Sequence, residues 1–193
     1  MTPTVVRVDD VAPVPWRNGS GLTRELLAWP DAQDWTVRIS VAEIIASGPF
    51  STFPGVERWF AVLSGGAVRL DTADAVPRTL DASQAALHRF SGDAPTFCSA
   101  LGAGTRDFNV MLRRACGRLE QQALSKRPLL ESSAEFAALF TVEPVAVAGA
   151  GDAPCQLPAM ALAWWHNPRR EPLALRARTT DVRGWWLEVN TAP

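Results

Sequence analysis

Fifteen prolines and thirteen glycines are scattered along this chain of 193 residues instead of clustering in one linker. Proline has no amide proton and breaks helices, and glycine marks tight turns. Helix signals are therefore few, and the short runs between the breakers have strand character. In "WTVRISVAEI", Val37, Ile39 and Val41 share one face while Arg38, Ser40 and Ala42 share the other. "RDFNVMLRR" sets Phe108, Val110 and Leu112 opposite Asp107, Asn109 and Met111. "RWFAVLSGGAVRL" reads as strand, Gly-Gly turn, strand, the signature of a hairpin. Many short strands at short spacing predict an all-β sandwich or barrel.

The second half repeats this style. "AEFAALFTVEPVAVAG" has helix-favouring residues at its start but reads mostly as β, with a break at Glu143-Pro144. "ALAWWHN", "PLALRART" and "GWWLEVN" are three further strands. Two similar halves are expected, residues 1–115 and residues 116–193. The helix-prone "GRLEQQALSKR" between them also fits a strand followed by a loop. Eight tryptophans include the adjacent pairs Trp164-Trp165 and Trp185-Trp186. Neighbours on a strand face opposite ways, so each pair is expected to place one ring in the core and one outside. Outward rings would suit a subunit interface, and a homodimer is the corresponding expectation.

Charge is nearly balanced, with 19 basic and 20 acidic residues, so no basic excess attracts a nucleic acid backbone. No apolar run spans a bilayer, and "MTPTVVRVDD" lacks the pattern of a secretory signal. Three cysteines without CxxC spacing fit a reducing compartment, and a cytoplasmic location is expected. Two distant histidines form no HxH or Cys-His cluster, so neither a metal nor another cofactor is expected. There is no P-loop, GxGxxG or GxSxG.

One stretch stands apart. "VPWRNGSGLTREL", Val14 to Leu26, is too polar for a core and too patterned for a linker. Its Asn-Gly and Ser-Gly pairs predict a compact loop, after which "LTREL" leaves as a strand. A plain hairpin turn with Trp16 packed over a sheet edge is one reading; the rim of a pocket is the other. Arg38 and Ser40 pose the same choice. Their face is either solvated or turned into a barrel, and a buried arginine there needs a carboxylate or a ligand anion. Glu25, Glu43, Glu57 and Asp107 are the candidate partners within the chain. Asp107 and Asn109 share one strand face, as a ligand-binding pair or as a polar network linking strands. Arg58 shares its face with Phe60 and Val62, and Asp93 in "FSGD" sits in a turn that could approach the same cavity.

Taken together, "PWRNGSGLTREL", "WTVRISVAEI", "GPFSTFPGVERWFAVLSGG", "RFSGD" and "RDFNVMLRR" resemble the HutD/Ves family over residues 5–115, more loosely beyond. The resemblance implies a bicupin, with two cupin-like (RmlC-like) β-barrel or jelly-roll halves in one chain. It implies binding of a small pathway metabolite such as urocanate or formylglutamate and modulation of histidine utilisation or a stress response. The family loop WxNGGGxTxE has Ser20 in place of its middle glycine here. The family's polar positions fall on Asn18, Thr23, Glu25, Arg38, Ser40, Arg58, Asp107 and Asn109, the expected ligand-binding set. The HxH pair of metal cupins is missing from "STF" and "VERW". The expected function is metal-independent binding of an anionic metabolite. A metal-independent isomerase or hydrolase using Glu25 or Glu57, and a tryptophan-surfaced scaffold, are the alternatives.

Overall fold

The computed structural model describes residues 2–73, 75–124, 129–149, 153–177 and 182–191. Among them are nineteen β-strands and no α-helix. The first strand is β1 (Thr4–Arg7). Next come β2 (Val14–Pro15), β3 (Gly21–Trp29), β4 (Val37–Ile44), β5 (Gly48–Pro49), β6 (Val56–Ser64), β7 (Val68–Thr72), β8 (Arg78–Leu80), β9 (His88–Ser91), β10 (Thr96–Ala100) and β11 (Thr105–Arg113). The remainder are β12 (Gly117–Ala123), β13 (Leu129–Ser132), β14 (Phe136–Thr141), β15 (Val145–Gly149), β16 (Cys155–Leu157), β17 (Ala161–His166), β18 (Leu173–Ala177) and β19 (Gly184–Thr191). The helix-prone "GRLEQQA" is therefore strand β12, and "FAALFT" is strand β14.

The chain divides into two units, Ala12–Cys116 and a second made of Met1–Val11 with Gly117–Pro193. In the first, a six-stranded sheet β2-β3-β4-β11-β6-β9 faces a four-stranded sheet β5-β10-β7-β8. Ile44, Phe60, Val62 and Phe90 from one sheet pack with Val68, Leu70, Leu80 and Cys98 from the other. In the second, β1-β17-β14-β19-β12 and β13-β18-β15-β16 enclose an apolar core that includes Leu139, Trp165, Trp186, Val147 and Leu175. Every strand pair is antiparallel, as expected of short strands joined by turns.

Three expectations differ from the structure. The boundary expected after residue 115 assigns the first residues to the N-terminal half. Instead β1 pairs with β17, Thr4 opposite Trp164 and Arg7 opposite Ala161, which places the first eleven residues in the other unit. The Gly-Gly pair does not close a hairpin. β6 belongs to the six-stranded sheet and β7 to the four-stranded one, so Gly65-Gly66 is a crossing between sheets. Glycine is needed there because a Cβ on Gly65 (φ +83°) would lie 2.0 Å from the Gly104 carbonyl oxygen, and one on Gly66 2.5 Å from Gly102. Finally, Trp185 and Trp186 are both 0 % exposed. Each faces its own side of β19, but both sides are buried: Trp185 stacks on Phe140 and Trp186 packs on Trp165.

Candidate functional site

β4, β11 and β6 lie side by side, and their register builds the site. Arg38, Met111 and Arg58 form one cross-strand row, Ser40, Asn109 and Phe60 the next, and Ala42, Asp107 and Val62 the third. Strand alternation sends all nine side chains to the same face. That face points into the first barrel, so the polar side of "VRISVA" lines an interior. A cavity of about 480 Å³ opens there, a size that suits a small metabolite.

The "WRNGSG" loop forms one wall. Trp16 accepts from Gly19 N through its carbonyl and donates its own N–H to the Gly21 carbonyl, which closes the loop. Its indole Nε1 donates to Thr23 Oγ1 at 2.6 Å, and its ring meets Phe50 edge-on at 6.0 Å. Gly21 admits this arrangement, because a Cβ there would sit 2.9 Å from the indole. The Asn18 Oδ1 accepts from Ser20 N at 3.1 Å and Ser20 Oγ at 2.7 Å. The hydroxyl that distinguishes this loop from an all-glycine one thus holds Asn18 in place.

Arg58 is only 8 % exposed and sits among aromatic rings. Its guanidinium carbon lies 4.9 Å from the Phe90 centroid, 5.1 Å from Phe50 and 5.7 Å from Phe53, within cation–π range. Its hydrogen bonds are long: Nη1 to the Ser51 carbonyl and Nη2 to Asn109 Oδ1, both 3.4 Å. Nε is buried without a partner. Burial pushes the guanidinium down to about 10, against the opposing pull of Asp107.

Asp107 is 1 % exposed. Asn109 stands between it and Arg58, donating Nδ2 to Asp107 Oδ1 while accepting from Arg58. Asp107 Oδ2 is buried without a hydrogen bond. Burial lifts this carboxyl to about 7, with the Asn109 hydrogen bond and Arg58 acting in the other direction. Arg38 is less enclosed and forms an ion pair with Glu25.

Of the eight expected residues, Asn18, Thr23, Arg38, Ser40, Arg58, Asp107 and Asn109 line the cavity. Glu25 does not; it stands behind Arg38, beside a bulge in β3 that breaks the strand's alternation. Glu43 pairs with Arg24, and Glu57 with Arg89 at 3.0 Å, both away from the cavity. Asp93 accepts from Gly55 N and pairs with Arg114, so it ties a loop and does not reach the site. Acid–base chemistry by Glu25 or Glu57 thus has no cavity-facing group. Met111, Ser51 and Phe90 were not singled out from the sequence as site residues. For Met111 a signal was available, since it alternates in phase with Asp107 and Asn109 on β11.

The cavity's donor set does not fit a divalent metal. It offers one carboxyl and three arginines, Arg17, Arg38 and Arg58, and no group of three His, Cys, Asp or Glu side chains suited to a metal occurs among the described residues.

Fold and site together define a two-barrel, cupin-like protein with a polar, arginine-bearing cavity in one barrel. The model of the HutD family matches residues 8–182, and the chain belongs to the HutD/Ves family. A 21.2 kDa protein of Pseudomonas putida, described as lying in the hutC 3' region, is 35 % identical over 140 residues, 70 % of this chain and 72 % of that protein. Protein Ves of Citrobacter koseri is 42 % identical over 101 residues, 51 % of this chain and 52 % of Ves, so the chain spans about half of that relative. Among solved structures, a conserved protein of unknown function from Pseudomonas aeruginosa superposes with a TM-score of 0.86 at 28 % identity, over 99 % of this chain and all of the other. HutD from Pseudomonas fluorescens gives 0.85 at 24 %, with the same coverage. A cupin 2 conserved barrel domain protein from Leptotrichia buccalis gives 0.57 at 9 %, covering 98 % of this chain and 97 % of that one, which establishes likeness of fold. No helix among the described residues is long and apolar enough to cross a membrane.

Proposed function

We propose that the cavity of the first barrel binds a small anionic metabolite without a metal, and that binding serves regulation of histidine utilisation or a stress response. The observation that carries this reading is Arg58: a buried guanidinium whose two hydrogen bonds are 3.4 Å long and whose Nε has no partner. Buried N–H groups left without short hydrogen bonds are costly, and a ligand carboxylate would complete them. Arg's planar fork matches a carboxylate, and Arg38 on the same row supplies a second cation. Asn18, Ser40 and Asn109 offer polar atoms for the remainder of the ligand. The position of the Pseudomonas putida relative in the hutC 3' region makes urocanate and formylglutamate the first compounds to test.

A thermal-shift screen of the purified protein against these compounds and related small acids tests the proposal. A ligand of the native state raises the melting temperature in a saturable manner. Absence of any shift across the panel overturns the reading.

A further inference from the structure

Apart from the exposed Arg17, the charges in and behind the cavity cancel before any ligand enters. Arg38 is neutralised by Glu25. Arg58 is balanced by Asp107, with Asn109 bonded to both. Arg17 lies on the rim and is exposed to solvent. An anion seated beside Arg58 would therefore add an uncompensated negative charge to a buried site, next to a carboxylate. Such a charge is strongly disfavoured unless a nearby group changes protonation. The groups facing Asp107 leave one candidate. Arg58, at about 10, stays charged through the neutral range, Arg38 is engaged by Glu25, and the Cys98 thiol on the opposite sheet is neutral, pushed up to about 12 by burial and by Asp107 itself. Asp107 is the remaining titratable group, and its Oδ2 has no partner to lose.

Resting on the anion-binding reading above, we propose that Asp107 takes up one proton when a carboxylate enters, so that the protein binds anion and proton together. The proton comes from solvent or buffer and forms an O–H bond on Asp107. The group changes from an acceptor that repels the ligand into a neutral donor that can hydrogen-bond to it. Asp107 is thereby a determinant of charge selectivity: it disfavours anions when ionised and admits them when protonated. The upward displacement of its carboxyl to about 7 in the empty protein places this change in the neutral range.

The test uses the full chain with acetate, benzoate and formylglutamate, none of which titrates between pH 5.5 and 8.5. In the wild type, affinity is expected to fall about tenfold per pH unit above the midpoint. From pH 5.5 to 8.5 this amounts to about thirtyfold. Calorimetry at pH 8.5 in two buffers of different ionisation enthalpy should show close to one proton taken up per carboxylate. Asp107→Asn imitates the protonated group; it should bind with no pH dependence and, at pH 8.5, more tightly than the wild type by about the same factor. Wild-type binding with flat affinity and no proton uptake overturns the coupling and leaves anion binding intact, as does weaker binding by a folded Asp107→Asn protein at pH 8.5. No binding of any carboxylate at any pH overturns both. If Asp107→Asn does not fold, proton uptake by the wild type decides alone.

Discussion

The two units share an architecture of paired antiparallel sheets and fill their interiors in opposite ways. In the C-terminal unit, the interior is closed by apolar side chains: Trp165 and Trp186 pack ring against ring at 5.6 Å, surrounded by Leu139, Val147 and Leu175. In the Ala12–Cys116 unit, Phe60 and Val62, packed against Leu70 and Cys98 of the opposite sheet, share their sheet face with Arg58, Asn109 and Asp107. Close packing makes the first kind of interior stable and inert. The second gives up packing for polar groups whose hydrogen bonds are left incomplete, the arrangement expected where a ligand supplies the missing partners.

Truncation measures the contrast directly. Trp186→Ala should remove about 3–5 kcal/mol of stability, read by denaturant unfolding, because it empties a packed core. The carboxylate-induced thermal shift should survive in whatever protein remains folded. Arg58→Met combined with Asp107→Leu should act in the opposite sense, abolishing carboxylate binding in calorimetry while leaving unfolding stability unchanged or raised by about 1 kcal/mol, because both members of the buried pair are replaced. Arg58→Met alone leaves Asp107 without its cation and should cost stability that is regained as pH falls and Asp107 takes up a proton. A large stability loss in the double variant would make the pair a structural element and erase the contrast.

Arg38→Ala should weaken an anionic ligand about tenfold or more while leaving a neutral analogue within about twofold, because ion pairs carry charge selectivity. Equal losses would show that Arg38 acts through shape alone. Acidity sharpens the comparison further. Asp107 sits near 7 when folded and near about 4 when unfolded, so the native state holds the extra proton. Its contribution to stability is full below about pH 4, declines as pH rises toward 7 and is gone above. Asp107→Asn should flatten that decline in urea titrations taken between pH 4 and 8. The smallest effect concerns reactivity. At pH 8, Cys98 should resist thiol reagents in the native protein and react only on unfolding, since burial holds its thiol near 12.

Much of the first barrel was legible because its strands alternate. The phases of "VRISVA" and "RDFNVM" put Arg38 with Ser40 and Asp107 with Asn109, and the register of β4 against β11 then joined the two sets. What alternation could not reveal was which sheet a strand joins. "FAVLSGGAVRL" has the local chemistry of a hairpin, yet Gly65 and Gly66 are there for close backbone approach to Gly102–Gly104, a relation between distant segments. Burial on both faces was similarly hidden. Trp185 and Trp186 alternate correctly, but the rule that one face meets solvent fails when both faces are covered. Glu25 is the arginine partner expected of it, paired with Arg38, but it does not line the cavity, and the bulge that follows it in β3 has no distinctive residue to announce it.

The pairing of β1 with β17 has a consequence for biosynthesis. Thr4–Arg7 leaves the ribosome more than a hundred residues before its partner Ala161–His166. The segment Ala12–Cys116 is continuous and can form its own pairings while translation proceeds. The opening strand must wait, an unpaired β-edge carried past one finished barrel before the other exists to receive it. A nick in the stretch joining Val8 to Val14 would therefore cut this chain into an opening peptide that belongs with the last-made barrel and a remainder that begins with the first.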